Sequence, residues 1–289
     1  MPIRVVETTE FCDRHVALSG WEESYTQMSS GRYHGKLVHA EISGIELYEE
    51  SMNLRVEQEF HAPVDTLVFS FDLTENTLYL LDGQTCNGWV TPEHYREVAV
   101  VLKLPAHARG LAPLDHLILQ PLRSPSCRPY ATLLSGYLSG AMNGRFDIDQ
   151  PGFSQQIADG CFLLLDEAAH HEPHRRTNCY SRRIVEGVKQ LAHDSPFDCL
   201  SILDMAAATG VSVRHVQQSF LRYAGMSPTA WLKNRRLNAA RRDLLRADPT
   251  EVTVAEIAMR WSFWHLGRFS HAYHTLFGEY PKTTLRRAL

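Results

Sequence analysis

The chain has 289 residues, enough for two domains that each bury a core, and its 44% hydrophobic and 21% charged content, with no low-complexity tract, is that of a globular protein. The net charge of −4 hides an asymmetry: from Ser181 onward there are 16 Lys and Arg against 9 Asp and Glu, a net of +7, while the first 180 residues are strongly acidic. No apolar run is long enough to span a bilayer, and the acid-bearing start MPIRVVETTEFCDRH does not suit a signal peptide. The expectation is a cytoplasmic protein with no membrane partner. Its basic second half would face a polyanion or dock on an acidic surface.

In chain order, the segments RVVE, KLVHAEIS, GIELYEE, TLVFSFDL and NTLYLLDG have strand length, are rich in β-branched and aromatic residues, and are separated by Gly, Asn, Asp or Pro. Up to about Pro125 this spacing predicts a β sandwich or small barrel. From Pro129 the texture changes: YATLLSGYLSGAMN and FSQQIADGCFLLLDEAAHH carry apolar residues at helical spacing. The polar stretch HHEPHRRTNCYS then interrupts the pattern. The expected division is an N-terminal domain over 1–172, a linker over 173–181 and a helical domain over 182–289.

In the last third, RRIVEGVKQLAHD is amphipathic, with Ile184, Val185, Val188 and Leu191 on one stripe. Beyond it the sequence repeats. SILDMAAATGVSVRHVQQSFLRYAGMSP aligns with TVAEIAMRWSFWHLGRFSHAYHTLFGEYP: Ser201 matches Thr253, Asp204 matches Glu256, Ala206 matches Ala258, Phe220 matches Tyr273, Gly225 matches Gly278 and Pro228 matches Pro281. Each copy opens on an S/T-x-x-D/E capping box, turns at Gly210 or Ser262, and ends its second helix at a glycine closely followed by proline. These are two helix-turn-helix units, about 201–225 and 253–278, whose second helices suit the DNA major groove. Val216 and Phe220, or Phe269 and Tyr273, face inward. Arg214, Gln217 and Gln218 in one copy, and Arg268 and His271 in the other, face outward, where Arg can read guanine and Gln adenine.

Between the copies, PTAWLKNRRLNAARRDLLRADP reads as one helix of roughly 27 Å at ~1.5 Å per residue. That sets the two reading helices about one turn of DNA apart. Lys233, Arg235, Arg236, Arg241 and Arg242 are its candidates for phosphate contact. A helical bundle that binds protein is the bland alternative, but matched caps, turns and terminators in both copies favour double-stranded DNA.

Residues 182–287 resemble the DNA-binding domain of the AraC/XylS family of bacterial transcription regulators, through LDMAAATGVSVRHVQQSFLRYAGMSPTAWLKNRRLNAARRDLL and TVAEIAMRWSFWHLGRFSHAYHTLFGEYPKTTLRR. The resemblance implies base-reading positions at Arg214, Gln217 and Gln218 in the first unit and Gly267, Arg268 and His271 in the second. The family usually has Gly where Ser262 stands, Ser or Thr at Gly267 and Arg at His271, which leaves the second unit with fewer base contacts. The first half is similar to the family's effector-binding and dimerisation domains, implying an α+β protein: a cupin-like β barrel with following helices, then an all-α domain. Trp21 to Gln58 looks most like regulators of ethanolamine utilisation and of anthranilate or related aromatic-acid catabolism. The implied partners are promoter DNA, a small-molecule effector, a second copy in a homodimer and RNA polymerase, with activation as the output.

Other chemistry is poorly supported by the residues. The six scattered cysteines contain no CxxC pair and predict reduced thiols, neither a disulfide framework nor a zinc ribbon. His170, His171 and His174 are badly spaced for a metal, and His34, His39, His61, His107 and His116 lack a close H-x-H pair. No metal or cofactor is expected. No phosphate-cradling loop, nucleophile elbow or nucleophile with a plausible base is present, so no enzyme is expected. Trp21, Tyr33 and Trp89 are candidates to line an effector pocket, with core packing as the ordinary alternative. A cupin-type metalloenzyme and a ligand-independent regulator whose β domain only dimerises are the competing readings.

Overall fold

The computed structural model describes residues 3–10, 20–104, 114–171, 177–197 and 200–287. The chain forms two compact units: Met1–Tyr25 with Tyr33–His174, and Thr26–Arg32 with Arg175–Leu289. The short segment Thr26–Arg32, although embedded in the first half of the sequence, packs with the second unit.

The strands are β1 (Arg4–Thr8), β2 (Glu22–Gln27), β3 (Gly35–Ile42), β4 (Ile45–Met52), β5 (Val56–His61), β6 (Thr66–Asp72), β7 (Thr77–Asp82), β8 (Asn87–Val90) and β9 (Tyr95–Lys103), all in the first unit except the last two residues of β2, Thr26 and Gln27. They form two sheets, in the orders β1-β3-β4-β9-β6-β7 and β2-β5-β8. Of the two expected forms, sandwich and small barrel, the strands take two separate sheets, six- and three-stranded, and the cupin-like barrel does not close. Two helices follow, α1 (Cys127–Met142) and α2 (Phe153–His171).

The six-stranded sheet is covered on both faces. Along β9, Val98 and Val100 belong to a core shared with Leu134, Leu138, Leu164 and Leu165 of the two helices. Ala99 and Val101 point the other way, into a second cluster with Phe60 and the partly buried Trp21 and Trp89. Successive strand residues face opposite sides, so a strand buried on both sides reads as a continuous apolar run. That is why Val98 to Val101 are all fully buried and show no alternation.

The second unit contains α3 (Thr177–Asp194), which begins within the stretch read as a linker, then α4 (Ile202–Thr209), α5 (Val213–Ala224), α6 (Pro228–Arg246), α7 (Val254–Arg260), α8 (Leu266–Phe277) and α9 (Pro281–Arg286). Both expected capping boxes are present: Ser201 with Asp204 at α4, and Thr253 with Glu256 at α7. Each satisfies otherwise orphaned N–H groups at a helix start. The helix pairs α4–α5 and α7–α8 turn at Gly210 (φ 67°) and Ser262 (φ 63°), both left-handed. Glycine adopts that conformation without strain; serine does so at a cost. No helix among the described residues is long and apolar enough to cross a membrane.

Candidate nucleic-acid interface and effector cleft

The back of α5 is anchored by Val216 and Phe220, both fully buried, and Phe220 packs its ring 5.0 Å from that of Trp231 at the start of α6. Ser212 caps the helix by accepting a hydrogen bond from the His215 N–H. With that face fixed, Arg214, Gln217 and Gln218 are exposed together on the opposite side. They sit at i, i+3 and i+4, so all three lie along one edge of the helix.

The second pair repeats this plan. Phe269 and Tyr273 are buried, with rings 5.7 Å apart, and Gly267, Arg268 and His271 are exposed. The copies differ at the helix start. His265 stands where Ser212 stands in the first copy and makes no side-chain cap. Just before it, Trp264 is 68% exposed.

Helix α6 presents its basic residues unequally. Lys233 is exposed, while Arg235 is half-buried with its guanidinium 5.0 Å from the Trp231 ring centre. Arg236 and Arg242 are half-buried. Arg241, read from sequence as a phosphate candidate, is instead interior. It is 9% exposed, pairs with Glu279 at 2.7 Å, and donates to the Tyr273 hydroxyl at 3.1 Å. Thr284, also buried, donates to the same Glu279 carboxylate at 2.9 Å, and Arg287 pairs with it from the other side. Burial would raise the Glu279 pKa, but the Thr284 hydrogen bond and the two arginines outweigh it and hold the carboxyl below its usual value. Burial pushes the Tyr273 phenol up to about 12 despite Arg241. This network ties α6, α8 and α9 together, so Arg241 serves packing and is turned away from solvent.

The segment Thr26–Arg32 completes the second unit. Asn238 of α6 exchanges two hydrogen bonds with the Gln27 backbone, accepting from its N–H at 2.9 Å and donating to its carbonyl at 3.0 Å. One turn earlier, Asn234 donates to the Met28 carbonyl at 3.1 Å. The Gln27 side chain and the Gly31 N–H both donate to the Leu276 carbonyl, at 2.6 and 2.9 Å. Carbonyls in the last turn of a helix have no partner within it, so this segment caps α8 from outside. Sequence reading missed these residues. The available signal was a pair of asparagines, poor helix formers, at i and i+4 inside a long helix.

In the first unit a cleft of about 380 Å³, counted out to its open mouth, is lined by residues that include Trp21, Glu23, Tyr48, Glu50, Gln58 and Glu97. Trp21 and Trp89, both named from sequence, line it; Tyr33 does not, packing instead with Met52, Leu54 and Tyr95. The rings form a continuous wall: Trp21 lies 6.0 Å from Tyr48 and 5.8 Å from Phe60, and Phe60 lies 5.0 Å from Trp89. Also on the lining are two buried carboxyls, Glu50 and Glu97, which are direct cross-strand partners on β4 and β9, with Glu50 on the same face of β4 as Tyr48. Ser70 and Tyr95 donate to Glu97 at 2.7 and 2.9 Å, and Gln58 donates to Glu50 at 3.1 Å. Burial, reinforced by the charge of Glu50, pushes the Glu97 pKa up to about 8. Of the histidines considered for metal, His39 lies 3.2 Å from Glu46. His170 is exposed, with Nδ1 2.6 Å from the Asp166 carbonyl. His107 and His174 and the side chain of His171 lie outside the described residues.

With this geometry in hand, residues 205–287 match the family model described as a helix-turn-helix domain. The chain is 46% identical over 141 residues to the probable thc operon regulatory protein of Rhodococcus erythropolis, covering 47% of this chain and 42% of that protein. It is 32% identical over 138 residues to a XylDLEGF operon transcriptional activator of Pseudomonas putida, covering 48% of this chain and 42% of that protein. The chain thus spans under half the length of each of these relatives. Among solved structures it is similar to a probable AraC family transcriptional regulator from Rhodopseudomonas palustris CGA009, at 35% identity over 36% of this chain and 96% of that one, with a TM-score of 0.34. Residues 205–287 are a helix-turn-helix domain.

Proposed function

We propose that the protein is a sequence-specific regulator of transcription, an activator, which reads promoter DNA through α5 and α8 and answers to a small molecule held in the cleft of its β unit. The carrying observation is the exposed trio Arg214, Gln217 and Gln218 on a helix whose opposite face is locked by Val216 and Phe220. Arg suits guanine and Gln suits adenine in the major groove. Helix α8 adds Gly267, Arg268 and His271, a set with fewer hydrogen-bonding groups; its share is affinity more than sequence choice. Lys233 and Arg235 meet phosphates. The relative named as an operon activator supports the sign of regulation.

Strand β2 offers a route for the response. It carries Glu23 and Tyr25 into the cleft beside Trp21, the residue just before it, and two residues beyond Tyr25 comes Gln27, which caps α8. An effector acts only by binding the active arrangement better than the inactive one, and occupancy beside Tyr25 biases the position of Gln27. Exposed apolar residues on α1 and α2, among them Leu133 and Leu163, suit a homodimer contact, and RNA polymerase is the partner an activator requires. Anthranilate or a related aromatic acid, and ethanolamine, are the effector candidates that the family resemblance supplies.

The test is a titration of the full chain against its own promoter fragment and against scrambled DNA. Arg214→Ala is expected to weaken specific binding by about 1–3 kcal/mol and to relax base choice at one position. Equal affinity of the variant and the parent chain for the promoter would remove Arg214 from the interface.

A further inference from the structure

The two helix pairs differ most at the start of their second helices. Between the left-handed turn residue and the cap residue the first pair has one residue, Val211, and the second has two, Phe263 and Trp264. A residue just before a helix cap commonly packs against the fourth residue of the helix. In the second pair that contact falls to Phe263, whose ring lies 5.0 Å from that of the buried Phe269, and the extra residue, Trp264, is left 68% exposed. Leu266, the first residue of α8, is 43% exposed, whereas Val213 at the same place in α5 is half-buried.

Gly267 follows, at the position that Arg214 holds in the first pair. A Cβ built there meets no atom within 4 Å outside its own stretch of helix, so internal packing does not call for glycine. Glycine also weakens a helix relative to alanine. What it permits is the close approach of another surface to the helix backbone.

The N-terminal residues of the second helix in such a pair are the ones that meet base edges. In α5 that end carries Arg214. In α8 it carries Leu266 and Gly267, neither of which has a side-chain hydrogen-bonding group. The major groove offers one apolar feature, the C5 methyl group of thymine, and apolar side chains contact it. With no side chain at position 267, the groove can come close enough for Trp264 and Leu266 to cover such a methyl. A DNA surface suits this end better than a protein one because its exposed neighbours on α8, Arg268 and His271, carry hydrogen-bond donors suited to phosphates and base acceptors.

We propose that Trp264 and Leu266 read thymine, closing on the C5 methyl groups of one or two A·T pairs in the major groove. This rests on the reading of α8 as a DNA-facing helix and names the base it selects. Arg268 and His271 supply affinity; the selectivity that α8 has comes from the methyl contacts.

Uracil is thymine without that methyl, so replacing one by the other isolates the contact. A pool of random duplexes selected on the full chain supplies the preferred site. Each thymine in it is then replaced by uracil, one at a time, and affinity is measured by fluorescence anisotropy at constant salt. The expected result is a loss of about fourfold at one or two thymines, the equivalent of withdrawing one buried methyl. That loss disappears when Trp264→Ala and Leu266→Ala are combined, and each alone removes part of it, so the test does not depend on the double variant folding. The proposal is overturned if no uracil weakens binding, or if the loss survives in the combined variant. In both cases the selected site leaves the regulator standing, and the exposed pair faces a protein instead. If no sequence is enriched from the pool, the reading of the chain as a sequence-specific regulator falls along with the proposal.

Discussion

Replacing Arg241 with methionine tests whether a basic residue that sequence spacing offers to DNA is in fact an interior strut. In the folded protein the guanidinium contacts Glu279 at 2.7 Å and the Tyr273 hydroxyl at 3.1 Å, and lies 4.7 Å from the Phe277 ring centre. Removing one partner of a buried pair costs about 3–5 kcal/mol because the other charge stays buried. Here Glu279 keeps Arg287 and the Thr284 hydroxyl, which places the loss near the lower end, at about 3 kcal/mol. Methionine fills the space of the arginine stem, so little of that loss is packing. Removing the second charge as well should restore stability: Arg241→Met with Glu279→Met is expected to be more stable than Arg241→Met alone, since buried pairs exchange for apolar residues at small cost. Hydrogen exchange read on peptides from α8 isolates the local effect from unfolding of the other unit. Unchanged exchange in α8, together with a shallower salt dependence of DNA binding, would refute the reasoning and return Arg241 to the phosphate-contact set.

Lys233 gives the opposite expectation: Lys233→Ala leaves hydrogen exchange of α6 unchanged and lowers the slope of log K against log salt by about one, checked by titrations at several salt concentrations. Ser262→Gly is expected to stabilise the second helix pair by about 1 kcal/mol, because serine at φ 63° carries left-handed strain that glycine lacks; thermal unfolding measures it. The raised pKa of Glu97 means that the folded state holds a proton the unfolded chain releases above its ordinary value of 4.5, so stability of the first unit falls as pH rises from there toward about 8. The slope is at most about 1.4 kcal/mol per pH unit, and Glu97→Gln is expected to flatten it in denaturant melts run at pH 5, 6, 7 and 8.

What the sequence revealed follows from how side chains declare their surroundings. Helices with one buried stripe and side-chain caps, such as α5 and α7, were readable because apolar period and cap chemistry are both local. The exposure of Arg214, Gln217 and Gln218 followed from the burial of Val216 and Phe220 on the same helix. Strands β2 and β5 were not readable: EESYTQ and VEQEFH carry acids and amides where a strand pattern wants apolar residues. Some of those polar residues, Glu23 and Gln58, line the cleft, so what hid the strands is what gives the cleft its character. Nor could strand spacing decide between a sandwich and a barrel, because closure depends on pairing between strands distant in sequence. Arg241 looked solvated for a similar reason: its partners Glu279 and Tyr273 lie more than 30 residues away.

The docking of Thr26–Arg32 against α6 and α8 bears on how such a protein can be recombined. A gene cut between residues 174 and 175 would encode a second unit lacking the piece that caps α8, with the Asn238 amide and the Leu276 carbonyl stripped of these contacts. An exchange of first units between related chains fills that seat only when the incoming unit brings a segment that fits it. A chimera that keeps the second unit whole therefore takes residues 26–32 along with 175–289.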